Sequence, residues 1–151
     1  DRGLHLRAGK AALWGDRAAL VRKEGLNNIA ESAPSRWFTP EFYGASPAAV
    51  NELLVNLKNM NAEGYASCCD ALAFEDLREC ISKISAPTLI IGGDKDPVTT
   101  LDDAQYIQSQ IKGSQVLAIP ASHISNIEAE IEFNQAIKQF LANQIKHELE
   151  T

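Results

Sequence analysis

Two short loops hold the residue types from which acid–base chemistry is built. Gly92-Gly93-Asp94-Lys95-Asp96-Pro97 follows the apolar run Thr88-Leu89-Ile90-Ile91, and Ala121-Ser122-His123 follows Val116-Leu117-Ala118-Ile119. A carboxylate that accepts from one imidazole nitrogen fixes the ring's tautomer and leaves the other nitrogen as a general base. Asp94 and Asp96 are both candidates for the acid, and His123 is the candidate base. The same residues also have plain structural readings. Either aspartate can cap backbone N–H groups in its own loop, and His123 can stand at a helix start. Spacing leaves both readings open. No metal site is indicated, since a calcium loop would need an acidic residue at Val98 and a glycine at the sharp turn.

The elements around the loops bring them to one place. Each apolar run is short, continuous and closed by Gly or Pro, the pattern of a buried parallel strand. Between them Thr100, with Asp103 three residues on, opens a helix carrying Leu101, Ala104, Ile107 and Ile111, and Gly113 stops it. Ser125-Asn126-Ile127-Glu128 reads as a capping box that opens a last helix with Phe133, Ile137, Phe140 and Leu141 inward. Strand, helix, strand, helix implies parallel strands joined by a right-handed crossover. Neighbouring strands lie about 4.8 Å apart, so the two loops stand side by side at the carboxyl end of the sheet, where open α/β sheets bind ligands.

Ahead of these strands the texture is helical. Trp14, Ala18, Val21 and Gly25 recur at helical spacing, and Ala33-Pro34-Ser35 breaks that run before Arg36-Trp37-Phe38. Thr39-Pro40 and Ser46-Pro47 place a capping hydroxyl before a helix-starting proline. Val50, Leu53, Leu54 and Leu57 form an amphipathic stripe. Gly64 opens a further helical stretch through Ala71 and Phe74 to Ile84, with Leu77, Cys80, Ile81 and Ile84 on its inner face. The fold class is therefore α/β, with a helical segment over residues 1–84 and a βαβα unit over residues 85–151.

Composition excludes several function classes. The 151 residues are 45% hydrophobic and 23% charged, which rules out disorder and fits one globular domain. A formal net charge of −6 gives no electrostatic footprint for nucleic acid or an anionic membrane. No run approaches the length of a membrane span, and Asp1-Arg2-Gly3-Leu4-His5 lacks the order of a signal peptide. Three cysteines, with no metal-ligand spacing, read as buried and structural, which suits the cytoplasm. Two parallel strands are nevertheless too few, because parallel sheets are larger and covered on both faces. Further strands are expected from another polypeptide, from a second copy of this one, or from a longer chain.

A dyad of this kind serves a nucleophile on a strand-to-helix elbow, written G-x-S-x-G. These residues contain no such elbow; Gly44-Ala45-Ser46-Pro47-Ala48 lacks the last glycine and follows no strand.

The sequence nonetheless resembles the α/β-hydrolase superfamily and, within it, the 3-oxoadipate enol-lactone hydrolases (β-ketoadipate enol-lactonases). The resemblance runs from about Trp14 to Leu141 and leaves residues 1–7 outside it. It is carried by Trp14 with Arg17, Val21-Arg22, Gly25-Leu26, Arg36-Trp37-Phe38-Thr39-Pro40 with Phe42, Gly64-Tyr65-Ala66 with Cys68, and Asp76-Leu77-Arg78. It continues in Ala86-Pro87-Thr88-Leu89-Ile90-Ile91, Gly93, Asp96-Pro97-Val98-Thr99 and His123-Ile124-Ser125-Asn126-Ile127-Glu128. The strand-G-x-x-D and the later His are shared across the superfamily, whereas R-W-F-T-P, G-Y-A and H-x-S-N-x-E point more narrowly.

The resemblance implies that Asp96 is the triad acid and His123 the base. It implies that the helical segment is a lid, and that further strands ahead of this chain bear the nucleophile and the oxyanion hole. The chain alone is then expected to be inactive. The implied reaction is hydrolysis of a carboxylate-bearing enol-lactone without a cofactor, with Arg36 as the candidate cation for that carboxylate and Trp37 and Trp14 beside the substrate. Arg36 also has the plainer reading of a surface ion pair, and the tryptophans that of lid core. Another carboxylesterase or haloperoxidase-like reaction, and a non-catalytic interaction module, are the competing readings.

Overall fold

The computed structural model describes the backbone of residues 2–150 and the side chains of residues 11–146. Asp1 and the side chains of the Arg2-Gly3-Leu4-His5 opening lie outside these. The described chain divides into two compact units, residues 1–34 with 46–76, and residues 35–45 with 77–151.

In the first unit α1 (Arg2–Glu24) is joined by α2 (Asn27–Ser32), α5 (Pro47–Lys58) and α6 (Ala62–Phe74), while α3 (Pro34–Trp37) opens at the boundary. α1 packs along α6, and α2 along α5. Ala18, Val21, Ile29, Ala30, Val50, Leu57, Ala66 and Cys69 are buried, following the apolar stripes of their helices. Arg22 of α1 donates to Glu63 at 2.8 Å and to Asp70 at 2.7 Å, a bridge across to α6. Glu63 is held below its ordinary value chiefly by the hydrogen bond from Arg22.

Several local expectations are corrected here. α1 reaches back to Arg2, well before Trp14. Ser46 makes no side-chain cap bond, and Pro47 alone sets the start of α5. α6 begins at Ala62, because Asn61 accepts from Gly64 N and caps it. It ends at Phe74 instead of running to Ile84, since Glu75 and Asp76 put two negative charges at the negative end of the helix dipole. The chain resumes helix only over α7 (Arg78–Ile81). Leu77, Cys80 and Ile84 are consequently exposed, as is Cys68; Cys69 is buried, and burial pushes its thiol up.

The second unit holds α4 (Pro40–Ala45), α7, β1 (Leu89–Gly93), α8 (Leu101–Gln110), β2 (Gln115–Ile119), α9 (Ser125–Glu128) and α10 (Glu130–Glu150). β1 and β2 pair in parallel, from Leu89 opposite Gln115 to Gly93 opposite Ile119. They form a two-stranded sheet among the described residues. α8 crosses between them behind the expected capping box, in which Thr100 Oγ1 accepts from Asp103 N and Asp103 accepts from Thr100 N. Gly113 turns the chain back with φ +78°, a conformation that L side chains rarely adopt. Ile119, Ala121 and Ala129 are buried together, with Ile91 and Phe133 packed on them.

α10 packs on both strands, but its apolar stripe is wider than two strands can cover. Ala136 is buried and Phe133, Ile137 and Phe140 are half-buried, while Leu141 is exposed, contrary to expectation. Among the described residues, no helix is long and apolar enough to cross a membrane.

At the end of β1 the backbone of the following loop comes very close. A Cβ on Gly93 would lie 2.3 Å from the Ala121 carbonyl oxygen and 2.4 Å from that of Ser122. Both contacts are backbone, so neither can swing aside. Gly93→Ala is expected to cost about 3 kcal/mol or more. Gly15→Ala, in the middle of α1 with nothing within 4 Å, should instead gain about 0.5–1 kcal/mol from helix propensity. Urea unfolding of the two variants beside the unaltered chain checks both signs.

Candidate active site

Asp96 and His123 come together at the carboxyl ends of the paired strands. Gly93 and Ile119 are partners in the ladder, so the loops beginning at Asp94 and Pro120 leave the sheet side by side. Asp94 N donates to Ile119 O at 3.0 Å, and Lys95 N donates to Ala121 O at 3.0 Å, lacing one loop to the other. Across this lacing His123 Nδ1 lies 2.9 Å from Asp96 Oδ2. Asp94 is exposed, and it is Asp96 that meets the imidazole.

The Asp96 carboxylate makes contacts of both kinds at once, to its own loop and to the imidazole. Oδ1 accepts from the backbone N–H of Val98 at 2.7 Å and of Thr99 at 3.1 Å, the local turn expected of a loop aspartate. Oδ2 accepts from Thr99 Oγ1 at 2.7 Å and faces the imidazole. The Asp96 side chain is only 4% exposed. Burial alone pushes its carboxyl up, but the hydrogen bonds from His123, Thr99 Oγ1 and the two backbone groups together outweigh that and hold it below its ordinary value. An ionised Asp96 accepts, so His123 Nδ1 carries the proton. Nε2 is then left with its lone pair on a ring that is 30% exposed. A positioned base of that tautomer can take a proton from a hydroxyl nucleophile.

The loop bearing His123 is fastened on both sides of the imidazole. Ser122 N donates to Glu128 Oε2 at 2.8 Å, and Ile124 N donates to Trp37 O at 3.0 Å. Glu128 therefore does not close a capping box on Ser125; α9 has no side-chain cap bond. Its other oxygen accepts from Thr39 N at 3.0 Å and also from Thr39 Oγ1. Thr39 and Ser122 take the carboxylate that the sequence pattern offers as a local cap.

Of the candidate substrate contacts, Arg36 and Trp37 are half-buried and sit in the segment that these bonds hold beside His123. Trp14 belongs to the first unit, where the Arg17 guanidinium stacks 4.7 Å from its ring centroid. Thr99 has no separate role in the sequence reading and Glu128 only that of a helix cap, although both fall within its motifs. A hydroxyl three residues after the acid was the available signal for Thr99. Among the described residues no group of three or more His, Cys, Asp and Glu side chains could hold a metal ion.

The chain is 48% identical over 130 residues to 3-oxoadipate enol-lactonase 2 of Acinetobacter baylyi, a match over 86% of this chain and 49% of that protein. It is 40% identical over 128 residues to enol-lactonase 1 of the same organism, covering 85% and 48%. Among solved structures, the enol-lactonase from Burkholderia xenovorans LB400 superposes with a TM-score of 0.84 at 32% identity, over 87% of this chain and 50% of that one. No protein-family model matches. The chain thus spans about half the length of the curated relatives it matches, and the matching half is the C-terminal one.

A carboxylate with a depressed folded value stabilises the fold fully above its unfolded value, about 3.9, and that stabilisation fades as pH falls through the folded value. Asp96→Asn cannot ionise. It is expected to be less stable than the unaltered chain by about 2 kcal/mol at pH 7, the scale of a hydrogen bond to a charged group, and to show a shallower loss of stability below about pH 4. Urea midpoints from pH 2 to pH 7 test this, and parallel curves for the two proteins would contradict it.

Proposed function

We propose that this chain, which has the fold of the C-terminal part of an α/β-hydrolase, supplies the acid and base of a Ser-His-Asp enzyme that hydrolyses a carboxylate-bearing enol-lactone. The observation that carries the reading is the 2.9 Å contact between Asp96 Oδ2 and His123 Nδ1 at the carboxyl ends of two parallel strands. The similarity to enol-lactonases supports the substrate class.

In this reading His123 Nε2 removes the proton of a serine hydroxyl as that oxygen attacks the lactone carbonyl. Asp96 stabilises the imidazolium that forms. The tetrahedral intermediate collapses with cleavage of the ring C–O bond, and His123 returns its proton to the leaving enol oxygen. Water, deprotonated by the same nitrogen, then hydrolyses the acyl-enzyme and frees the serine. The 151 residues contain no G-x-S-x-G elbow, so serine and oxyanion hole are assigned to the other half of the hydrolase, which is the proposed partner. The helices ahead of β1 act as the lid. Arg36 receives the substrate carboxylate, and Trp37 lines its apolar part. The reaction needs no cofactor and is assigned to the cytoplasm.

Enol-lactone and p-nitrophenyl ester assays test the division of labour. The 151-residue chain by itself is expected to show no turnover, and substantial turnover abolished by His123→Ala would overturn the claim that the nucleophile lies elsewhere. In a hydrolase that joins this chain to its serine, Asp96→Asn should lower kcat about 10⁴-fold through loss of the correct tautomer.

The role of Arg36 is tested separately. Arg36→Ala should raise KM for the carboxylate-bearing lactone at least about tenfold while leaving an uncharged ester nearly unaffected, the loss of one charge-assisted contact being worth about 1.5–3 kcal/mol. Equal effects on both substrates would remove Arg36 from the site.

A further inference from the structure

We propose that Glu128 is a positioning residue for His123, acting through the backbone on either side of the base. The proposal rests on the reading of His123 as the base.

Its carboxylate receives three donors from two segments distant in the chain. Ser122, the residue before the base, gives its N–H to Oε2 at 2.8 Å. Thr39, 89 residues ahead of Glu128, gives its N–H to Oε1 at 3.0 Å and its hydroxyl to the same oxygen. Thr39 and Ser122 are both buried, so no water replaces these bonds cheaply. The threonine hydroxyl, having donated to Glu128, accepts from Phe42 N at 3.3 Å and thereby caps α4. Ile124 N, directly after the base, is taken by Trp37 O.

The His123 backbone is thus pinned at its preceding and following residues to one segment, the segment of Arg36, Trp37 and Thr39. On the opposite side the Asp94 and Lys95 N–H groups hold Ile119 and Ala121. Asp96 sets the ring's tautomer. Glu128 sets where the ring stands, and it ties that position to the place of the candidate substrate cation. Glutamine is the discriminating replacement. It keeps the size, but its amide nitrogen must face one of the backbone N–H groups, setting donor against donor.

The imidazole of His123 reports this directly. In ¹⁵N-edited proton spectra of the 151-residue chain, with the signal assigned by its loss in His123→Gln, the unaltered protein should show a far-downfield Nδ1–H proton bonded to Asp96. Glu128→Gln should broaden or remove that signal while circular dichroism shows the chain still folded. In the hydrolase carrying its serine, the same change should lower kcat about 10²-fold, the scale of an ångström misplacement, with KM for p-nitrophenyl acetate changed less than threefold.

A folded Glu128→Gln with the Nδ1–H signal unchanged, or with kcat unchanged, overturns the positioning role and leaves the Asp96–His123 pair standing. Absence of the signal from the unaltered chain would instead strike the acid–base reading itself, and the proposal with it. Should Glu128→Gln be unfolded, Thr39→Val, which removes the hydroxyl's bond to Glu128 and its cap on Phe42 N but keeps the Thr39 N–H bond, carries the same test: broadening supports the proposal and an unchanged signal overturns it.

Discussion

Parallel pairing of β1 with β2, with Gly93 opposite Ile119, is the constraint from which the rest of the second unit follows. Parallel strands point their carboxyl ends the same way, so the loops that leave them emerge together and a single crossover helix suffices to bring Asp96 to His123. The pairing works at this closeness because position 93 has no side chain. The carbonyls of Ala121 and Ser122 occupy the space a Cβ would take, and the Asp94 and Lys95 N–H groups bond back to the opposing loop. Sheet register and the geometry of the Asp96–His123 pair are in this sense one feature.

Two carboxylates divide the work at that end of the sheet, and each satisfies backbone and side-chain donors together. Asp96 turns one oxygen to its own loop and the other to the imidazole. Glu128 turns one oxygen to Ser122 and the other to Thr39. Neither can change its direction without leaving buried or half-buried donors unpaired, a penalty larger than the net worth of the bonds themselves. Rigidity here comes from shared acceptors more than from apolar packing, since the buried cluster beneath is built from little more than Ile119, Ala121 and Ala129.

The strands, the crossover helix with its Thr100–Asp103 cap, and the meeting of the two loops were legible in the sequence because each rests on local chemistry: continuous apolar runs, a capping pair, a stop glycine. The choice of Asp96 over Asp94 came from family resemblance and was not available from spacing. What was not legible depends on which of several competing local and distant contacts wins. Ser125-x-x-Glu128 has the form of a cap, and only the presence of Thr39 and Ser122 redirects its carboxylate. The helix through Phe74 has a continuing apolar pattern, yet the paired charges of Glu75 and Asp76 end it. Leu141 lies on the right face of α10 for burial, but the two strands beneath are too narrow to cover it.

The turn at Lys112-Gly113-Ser114 lies at the opposite end of the sheet from Asp96 and His123, between the end of α8 and the start of β2. Strand polarity separates the two ends by the full length of the ladder. Insertions or deletions at that turn lengthen or shorten the connection without touching the strand register or the loops that bear Asp96 and His123. The fold therefore has one end free to vary in length and one end that is not, and divergence among proteins built this way should accumulate as loop-length differences around Gly113 while the distance along the chain from Gly93 to Asp96 stays fixed.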